Sequence, residues 1–417
     1  MSKVQRNDGH KAMPSVQKRR HAPFPTPEIG IEEIGQLEEK AYAVIESLRA
    51  TAFAPGREKQ LGLRFSITAA ANMVGRSATA IRDAEKSGRL PPPAVDERNR
   101  RTGYTLSDIN RMRAYFGTLP WRAPDEEPVI LAIQNFKGGV GKSTIACHTA
   151  QYLALQGYRV CLIDCDSQAS STTMFGLNPD LDLHQEDTLH PFLMLGGQQT
   201  LQYALRKTYW DGIWLIPANL ALYNAEYELA AQVHGNPLLF NRLREGIDTV
   251  KDAFDVIIID PPPALGMISL SVLRAANAMI IPIPPSTVDF SSTTHFLSML
   301  REALEILDSY GIRAQYKFLK AIASKVQDNK STHTEISRLM AAVFGDFMID
   351  TKLKDSAEID NANAKLMTVY ELPAPQTSRE TFNRCKAYLN AANREIEILI
   401  RKTWPSHHEE LRQMGVI

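Results

Sequence analysis

Val129-Ile130-Leu131-Ala132-Ile133-Gln134-Asn135-Phe136-Lys137-Gly138-Gly139-Val140-Gly141-Lys142-Ser143-Thr144 decides the fold: an apolar run, a loop with three glycines, then a helix-forming pattern. The apolar run predicts a buried strand, and the loop after it has the makeup of a phosphate cradle. Gly138, Gly139 and Gly141 carry no side chains, so successive backbone N–H groups can curl around an anion at the start of the next helix. The helix dipole favours negative charge there. Val140 and Thr144 complete the cradle, Lys142 is placed to reach the β- and γ-phosphates of a nucleotide, and Ser143 to ligate Mg2+.

Most phosphate loops of this kind carry glycine where this chain has Phe136, and a second lysine, Lys137, stands at the entrance instead. The pattern resembles the deviant Walker A motif, K-G-G-x-G-K-[ST], of the ParA/MinD group of ATPases. That resemblance implies ATP and ADP as ligands and a homodimer that sandwiches two nucleotides, with Lys137 crossing to the partner's phosphates.

Two further motifs follow in order. The helix opened at Ser143 should end before Gly157, and Arg159 to Asp164 reads as a buried strand, so strand, helix and strand make a parallel βαβ unit. Asp164-Cys165-Asp166-Ser167-Gln168-Ala169-Ser170 ends it and is similar to the family's D-x-D-P-Q switch I, with Ser167 in place of proline. Ligands of open α/β sheets bind at the carboxyl ends of the strands, where Asp166 can orient or deprotonate an attacking water and stand near the metal. Downstream, Phe254 to Asp260 is a strand of branched residues ending in a carboxylate, a Walker B-like element that would hold Mg2+ through Asp260. Pro261-Pro262-Pro263-Ala264-Leu265-Gly266 resembles the family's switch II, and Ile281-Pro282-Ile283-Pro284-Pro285 resembles a loop that borders the nucleotide, which places Pro284 at the site.

Later strands at Ala278 to Ile283 and Ala314 to Ala323, and helices at Ser291 to Ser309, Thr332 to Phe344 and Ser378 to Arg401, extend the alternation into a doubly wound, mostly parallel α/β sheet. The segment Tyr203 to Tyr223 is similar to long ParA proteins and to the RepA-type partition proteins of large bacterial replicons. In the family, a DNA surface without sequence preference lies late in the fold. The resemblance therefore marks Lys325, Lys330, Lys352 and Lys354, together with Lys365, as candidate contacts.

Upstream of the phosphate loop the chain reads as α-helical. Residues 28–56 predict one helix, with Ile34, Leu37, Ala41, Val44 and Leu48 spaced by threes and fours. Two heptads suit packing within the chain and dimer pairing equally well. Residues 57–116 hold two short helices about Gly75, the first expected to be capped by Thr68 and the second by Ser77 with Ile81 inward. Arg98, Arg100 and Arg101 precede a further helix from Ser107 to Tyr115, and the whole resembles a MerR-like winged helix-turn-helix with the arginines on its wing. Ser77, Thr79 and Arg82 would then reach base edges while the arginines neutralise phosphates.

Equal totals of 47 basic and 47 acidic residues hide an uneven distribution. Residues 1–27 form a basic tail expected to be disordered, and a second basic block lies in 57–116. Residues 117–128, rich in proline and acid, form a linker to an ATPase domain at 129–401, with 402–417 as a tail. Four cysteines at irregular spacing exclude a disulfide framework, and no run approaches the ~18 apolar residues of a membrane span, so a soluble, reducing, cytoplasmic setting is expected.

The combined pattern predicts a ParA-type partition ATPase of plasmids or other replicons. The resemblance implies a ParB-type partner that stimulates hydrolysis, nucleoid association through DNA, and autorepression through the helix-turn-helix. A MinD-like positioning ATPase should end in a basic amphipathic helix, and residues 401–417, with Pro405 and Gly415, show no sustained apolar face. A nitrogenase-type reductase would need cysteines after its switch loops. A nucleotide-regulated transcription factor with a vestigial site is opposed by the complete set of Lys142, Ser143, Asp166 and Asp260.

Overall fold

The computed structural model of the chain describes residues 29–52, 59–233 and 235–417. The expected basic tail at 1–27 and the helix stop at Pro55-Gly56 lie outside these residues. The chain divides into two compact units, Met1–Pro55 and Gly56–Ile417. In the first, helix α1 (Ile31–Ala52) begins with Glu32 and Glu33 in its first turn, where acid complements the dipole. Ile31, Ile34, Leu37 and Val44 on it are exposed.

The second unit opens with three helices, α2 (Ile67–Val74), α3 (Ala78–Lys86) and α4 (Leu106–Phe116). The cap of α2 is Ser66, not Thr68: the Ser66 hydroxyl accepts from the Ala69 N–H at 3.2 Å, and Thr68 falls inside the first turn. Ser77 caps α3 through the Ala80 N–H at 3.1 Å, and Thr105 forms a reciprocal capping box with Asp108 on α4. Gly75, at φ 68°, makes the turn between α2 and α3. Val74, Ile81, Leu90, Tyr104, Ile109 and Met112 form the core of this module. Antiparallel bridges Phe65–Tyr104 and Val95–Arg101 tie down the segment that carries the arginines.

The α/β part follows as β1 (Val129–Ile133), α5 (Lys142–Gln156), β2 (Val160–Asp164), α6 (Ser170–Met174), α7 (His190–Leu193), β3 (Arg206–Lys207), β4 (Ile213–Ile216) and α8 (Ala221–Val233). It continues through α9 (Arg242–Asp248), β5 (Val256–Asp260), α10 (Met267–Ala275), β6 (Ala278–Ile283), α11 (Thr287–Ser309) and β7 (Phe318–Ala323). Four helices complete it: α12 (Ser331–Phe344), α13 (Ala357–Asn363), α14 (Arg379–Lys402) and α15 (His408–Gln413). The strands form a seven-stranded sheet in the order β3-β4-β2-β5-β1-β6-β7, parallel except for the β3–β4 pair.

Both faces of the central strands are buried, which is why they read as unbroken apolar runs. Val129, Leu131 and Ile133 join a core with Ile145, Leu153, Leu389, Ile396 and Ile400 of α5 and α14. Ile130 and Ala132, alternating with them, face Leu222, Leu229, Ile268 and Val272 of α8 and α10. Register sets the chemistry, because Asp164 and Asp260 end adjacent strands side by side.

Residues 117–128 do not hang free between modules. The Trp121 indole donates to the Gly157 carbonyl at 3.0 Å, and buried Arg122 donates to the Phe254 carbonyl at 3.1 Å. The expected tail is likewise packed: Trp404 and Leu411 are fully buried, the Trp404 indole donates to the Glu127 carbonyl, and Ser406 bonds Glu126. Buried aromatic area outweighs the polar, proline-containing sequence that made this segment read as a tail.

Candidate nucleotide site

Every element at the site converges on the carboxyl ends of β1, β2 and β5. The loop after β1 turns through Gly139 at φ 74° and Gly141 at φ 101°, conformations in which a side chain would be strained, and so delivers its N–H groups to the start of α5. No side chain caps this helix, as a helix start reserved for an anion requires. A cleft of about 610 Å3 opens there, lined by Gly138, Gly139, Gly141, Lys142, Ser143 and Thr144. Asp166, Gln168, Ser170, Pro263, Lys325 and Asn363 form its other walls.

Lys142 is buried, and its ammonium donates to the carbonyl of Lys137 at 3.1 Å. Burial lowers its pKa, while Asp260 and Asp166 pull the other way. Lys137, half-buried, is held at its N–H by the Asn135 side chain at 3.0 Å. Val140 turns inward, and its carbonyl accepts from the Ser324 hydroxyl at 2.9 Å.

Opposite the loop stand three carboxyl groups. Asp164 accepts from the Thr172 N–H at 2.8 Å, the Thr172 hydroxyl at 2.7 Å and the Asp166 N–H at 3.1 Å, and so shapes the segment that carries Asp166. Asp166 accepts from the Gln168 N–H at 3.0 Å. Ala169 follows at φ 52°, a left-handed conformation that costs a non-glycine residue roughly 1 kcal/mol or more and is enriched where loops serve function. Asp260 accepts from the Ser171 hydroxyl at 2.7 Å, while its Oδ1, buried, has no hydrogen-bond partner among the described residues. Burial raises the pKa of both Asp260 and Asp164; their closeness raises Asp164 further, and the nearby Ser143 and Ser171 hydroxyls hold Asp260 down.

An orphaned carboxylate oxygen beside a serine hydroxyl at a helix start is the donor chemistry of a hard, oxygen-loving divalent cation, and Ser143, Asp260 and Asp166 fit Mg2+. Sequence reasoning placed Asp164 at a strand end but gave it no role, although the D-x-D spacing was its signal, and it missed Glu226. The Glu226 carboxylate caps the first turn of α10, just after the proline loop, by accepting from the Met267 and Ile268 N–H groups, and no local pattern announces it.

Other expected residues fall elsewhere. Pro284 follows β6 and does not line the cleft, whereas Lys325, expected on a DNA surface, does. Lys325 sits at φ 52° just past β7. Lys354 pairs with Asp328 at 2.5 Å and lies over the Tyr388 ring; Lys352 is half-buried, Lys330 is exposed at the start of α12, and exposed Lys365 bonds Gln376. In the helical module Ser77, Thr79 and Arg82 are exposed together at the start of α3. Exposed Arg98 shares their module; Arg100 pairs with Asp96 at 2.8 Å and Arg101 with Glu85 at 3.0 Å. Among the described residues no helix is long and apolar enough to cross a membrane, and no group of three acidic, histidine or cysteine residues forms a further metal site. All four cysteines are buried and free.

Residues 129–309 match the family model described as an AAA domain. Protein SopA of Escherichia coli K12 is 35% identical over 355 residues, which cover 83% of this chain and 91% of SopA. The chromosome partitioning protein ParA of Caulobacter vibrioides is 27% identical over 248 residues, 58% of this chain and 87% of that protein. A solved structure titled Partition Protein shares the fold with a TM-score of 0.62 at 21% identity, covering 88% of this chain and 98% of that one. With a phosphate loop, paired strand-end aspartates and a relative matched along nearly its whole length, the chain belongs to the ParA-type partition ATPases, the family of SopA and ParA.

Proposed function

We propose that the chain hydrolyses Mg-ATP slowly, in a homodimer closed across two phosphate loops, and that this cycle drives the segregation of a plasmid or other replicon. One observation carries the reading: Lys142, the open start of α5 and Asp166 line one cleft, and the Lys142 ammonium feels the charges of Asp260 and Asp166. Bound Mg2+ would neutralise charge on the β- and γ-phosphate oxygens. Lys142 leaves the Lys137 carbonyl for those oxygens, and the loop N–H groups orient the chain of phosphates. Asp166 uses Oδ1 to fix its own loop through Gln168, and Oδ2 takes the proton of the attacking water. Lys137 reaches the neighbouring protomer's phosphates and makes closure depend on ATP.

The closed dimer binds DNA without sequence preference, and a ParB-type protein stimulates hydrolysis. Operator binding and autorepression fall to the three-helix module, where Ser77, Thr79 and Arg82 face outward for base edges and Arg98, Arg100 and Arg101 for phosphates. The Ser77 hydroxyl already caps α3, so Thr79 and Arg82 carry more of the base reading. DNA binding makes the protein nucleoid-associated. Sedimentation with Mg-ATP tests the core of this proposal: Lys137→Ala should bind nucleotide yet fail to form the ATP-dependent dimer. A variant that assembles at wild-type concentrations removes the sandwich dimer.

A further inference from the structure

Lys59 precedes helix α2 by only a few residues, yet its side chain is largely buried against the ATPase part. It donates to the carbonyl of Leu366 at 2.8 Å and of Met174 at 3.1 Å, and pairs with Glu371 at 2.8 Å. The ring of Tyr209 lies 4.7 Å from it. Burying a lysine is costly unless charge and hydrogen bonds compensate, so a lysine placed this way must hold something in position.

What it holds is the wall of the nucleotide cleft. Met174 and Leu366 both line that cleft, one at the end of the helix after the Asp166 loop and the other beyond α13. Leu366 sits at φ 53°, a strained conformation for a leucine that persists only when its surroundings over-determine it. The bond from Lys59 to its carbonyl is one of those constraints. Glu371 extends the link to the phosphate-loop helix, accepting from Gln151 of α5 at 2.9 Å, and also from Tyr209 at 2.7 Å.

We propose that Lys59 is a positioning residue of the nucleotide site: it clamps the Met174 and Leu366 walls and so couples nucleotide occupancy to the segment that leads into the helical module. The inference rests on the cleft being the nucleotide site. Lys59 bonds the backbone of the cleft wall and does not itself line the cleft, so it acts on binding and not on the chemical step. ATP and ADP should feel its loss alike.

The test is Lys59→Met, which keeps the stem and removes the donors, in the full chain. Dissociation constants for Mg-ADP and Mg-ATP should both rise about tenfold, as expected for one lost charge-assisted constraint, and KM should rise with kcat within twofold of wild type. Unchanged dissociation constants, or a fall in kcat at unchanged KM, overturn the proposal. Hydrogen exchange on the wild-type protein gives a second readout that needs no variant to fold. Amides of 59–66, 174–177 and 366–369 should gain protection together on adding Mg-ADP, and a segment 59–66 indifferent to nucleotide overturns the coupling. Lys142→Ala separates the two readings, because if it binds nucleotide as wild type does, the assignment of the cleft has failed, whatever Lys59 does.

Discussion

The nucleotide cleft and the three-helix module handle charge in opposite ways. At the cleft Lys142, Asp164, Asp166 and Asp260 are all buried, and each is tied to a named partner, with one carboxylate oxygen left over for a cation. In the module Arg82, Arg98, Arg100 and Arg101 are exposed, and two of them pair with nearby acids. Buried charge costs several kcal/mol unless it is paired and hydrogen-bonded, whereas exposed ion pairs contribute about 0 to 1 kcal/mol and are screened by salt. The cleft should therefore be intolerant and specific. The module should be tolerant residue by residue and sensitive to ionic strength.

Lys142→Ala tests the intolerant side most severely. Removing its buried ammonium from the cleft should weaken ATP binding at least about 100-fold, measured by calorimetry or a fluorescent nucleotide. A variant that binds within threefold of wild type would make the cleft as tolerant as the module.

The next effect concerns His148, one helical turn beyond the loop. Its Nδ1 bonds the Thr144 carbonyl at 2.7 Å and its Nε2 accepts from the Val369 N–H at 3.2 Å, so the imidazole is neutral in the fold. Burial pushes its pKa down to about 4. A histidine depressed in this way contributes stability that is complete above the unfolded value near 6.5 and is lost as pH falls toward the folded value. Thermal or urea unfolding should show a loss of roughly 3 kcal/mol between pH 6.5 and 4. His148→Gln, less stable at pH 7, should flatten that limb; an unchanged limb would place the acid sensitivity elsewhere.

Smaller still is the effect of Arg82→Ala, which sharpens the comparison from the tolerant side. It should cost about 1–3 kcal/mol of preference for operator over random duplex, leaving ATP-dependent binding to random DNA intact. Filter binding with ADP and with ATP reads both, and operator binding should be tighter with ADP or no nucleotide. Equal affinity for the two duplexes in every state would leave the module without a reading role.

The same contrast explains what could be read from the chain. Strand, loop and helix at Val129 to Gln156 and the strand ends at Asp164 and Asp260 were legible because backbone geometry and buried charge permit few residue types there. The fold class followed from them. Illegible features depend on contacts between segments far apart in sequence. Nothing near Lys59 announces Glu371, nothing near Glu226 announces the start of α10, and the basic character of Lys325 gives no sign that it faces the cleft. Trp404 is illegible for the same reason, since its indole bonds the Glu127 carbonyl of a segment nearly 280 residues earlier.

Phosphate release from Mg-ATP by the wild-type chain and by Asp166→Ala, each with DNA and a ParB-type partner, tests the central claim most directly. Slow, stimulated turnover by the wild type, and none by a variant that still binds ATP and dimerises, is the expected result. Hydrolysis by Asp166→Ala at the wild-type rate would contradict the account.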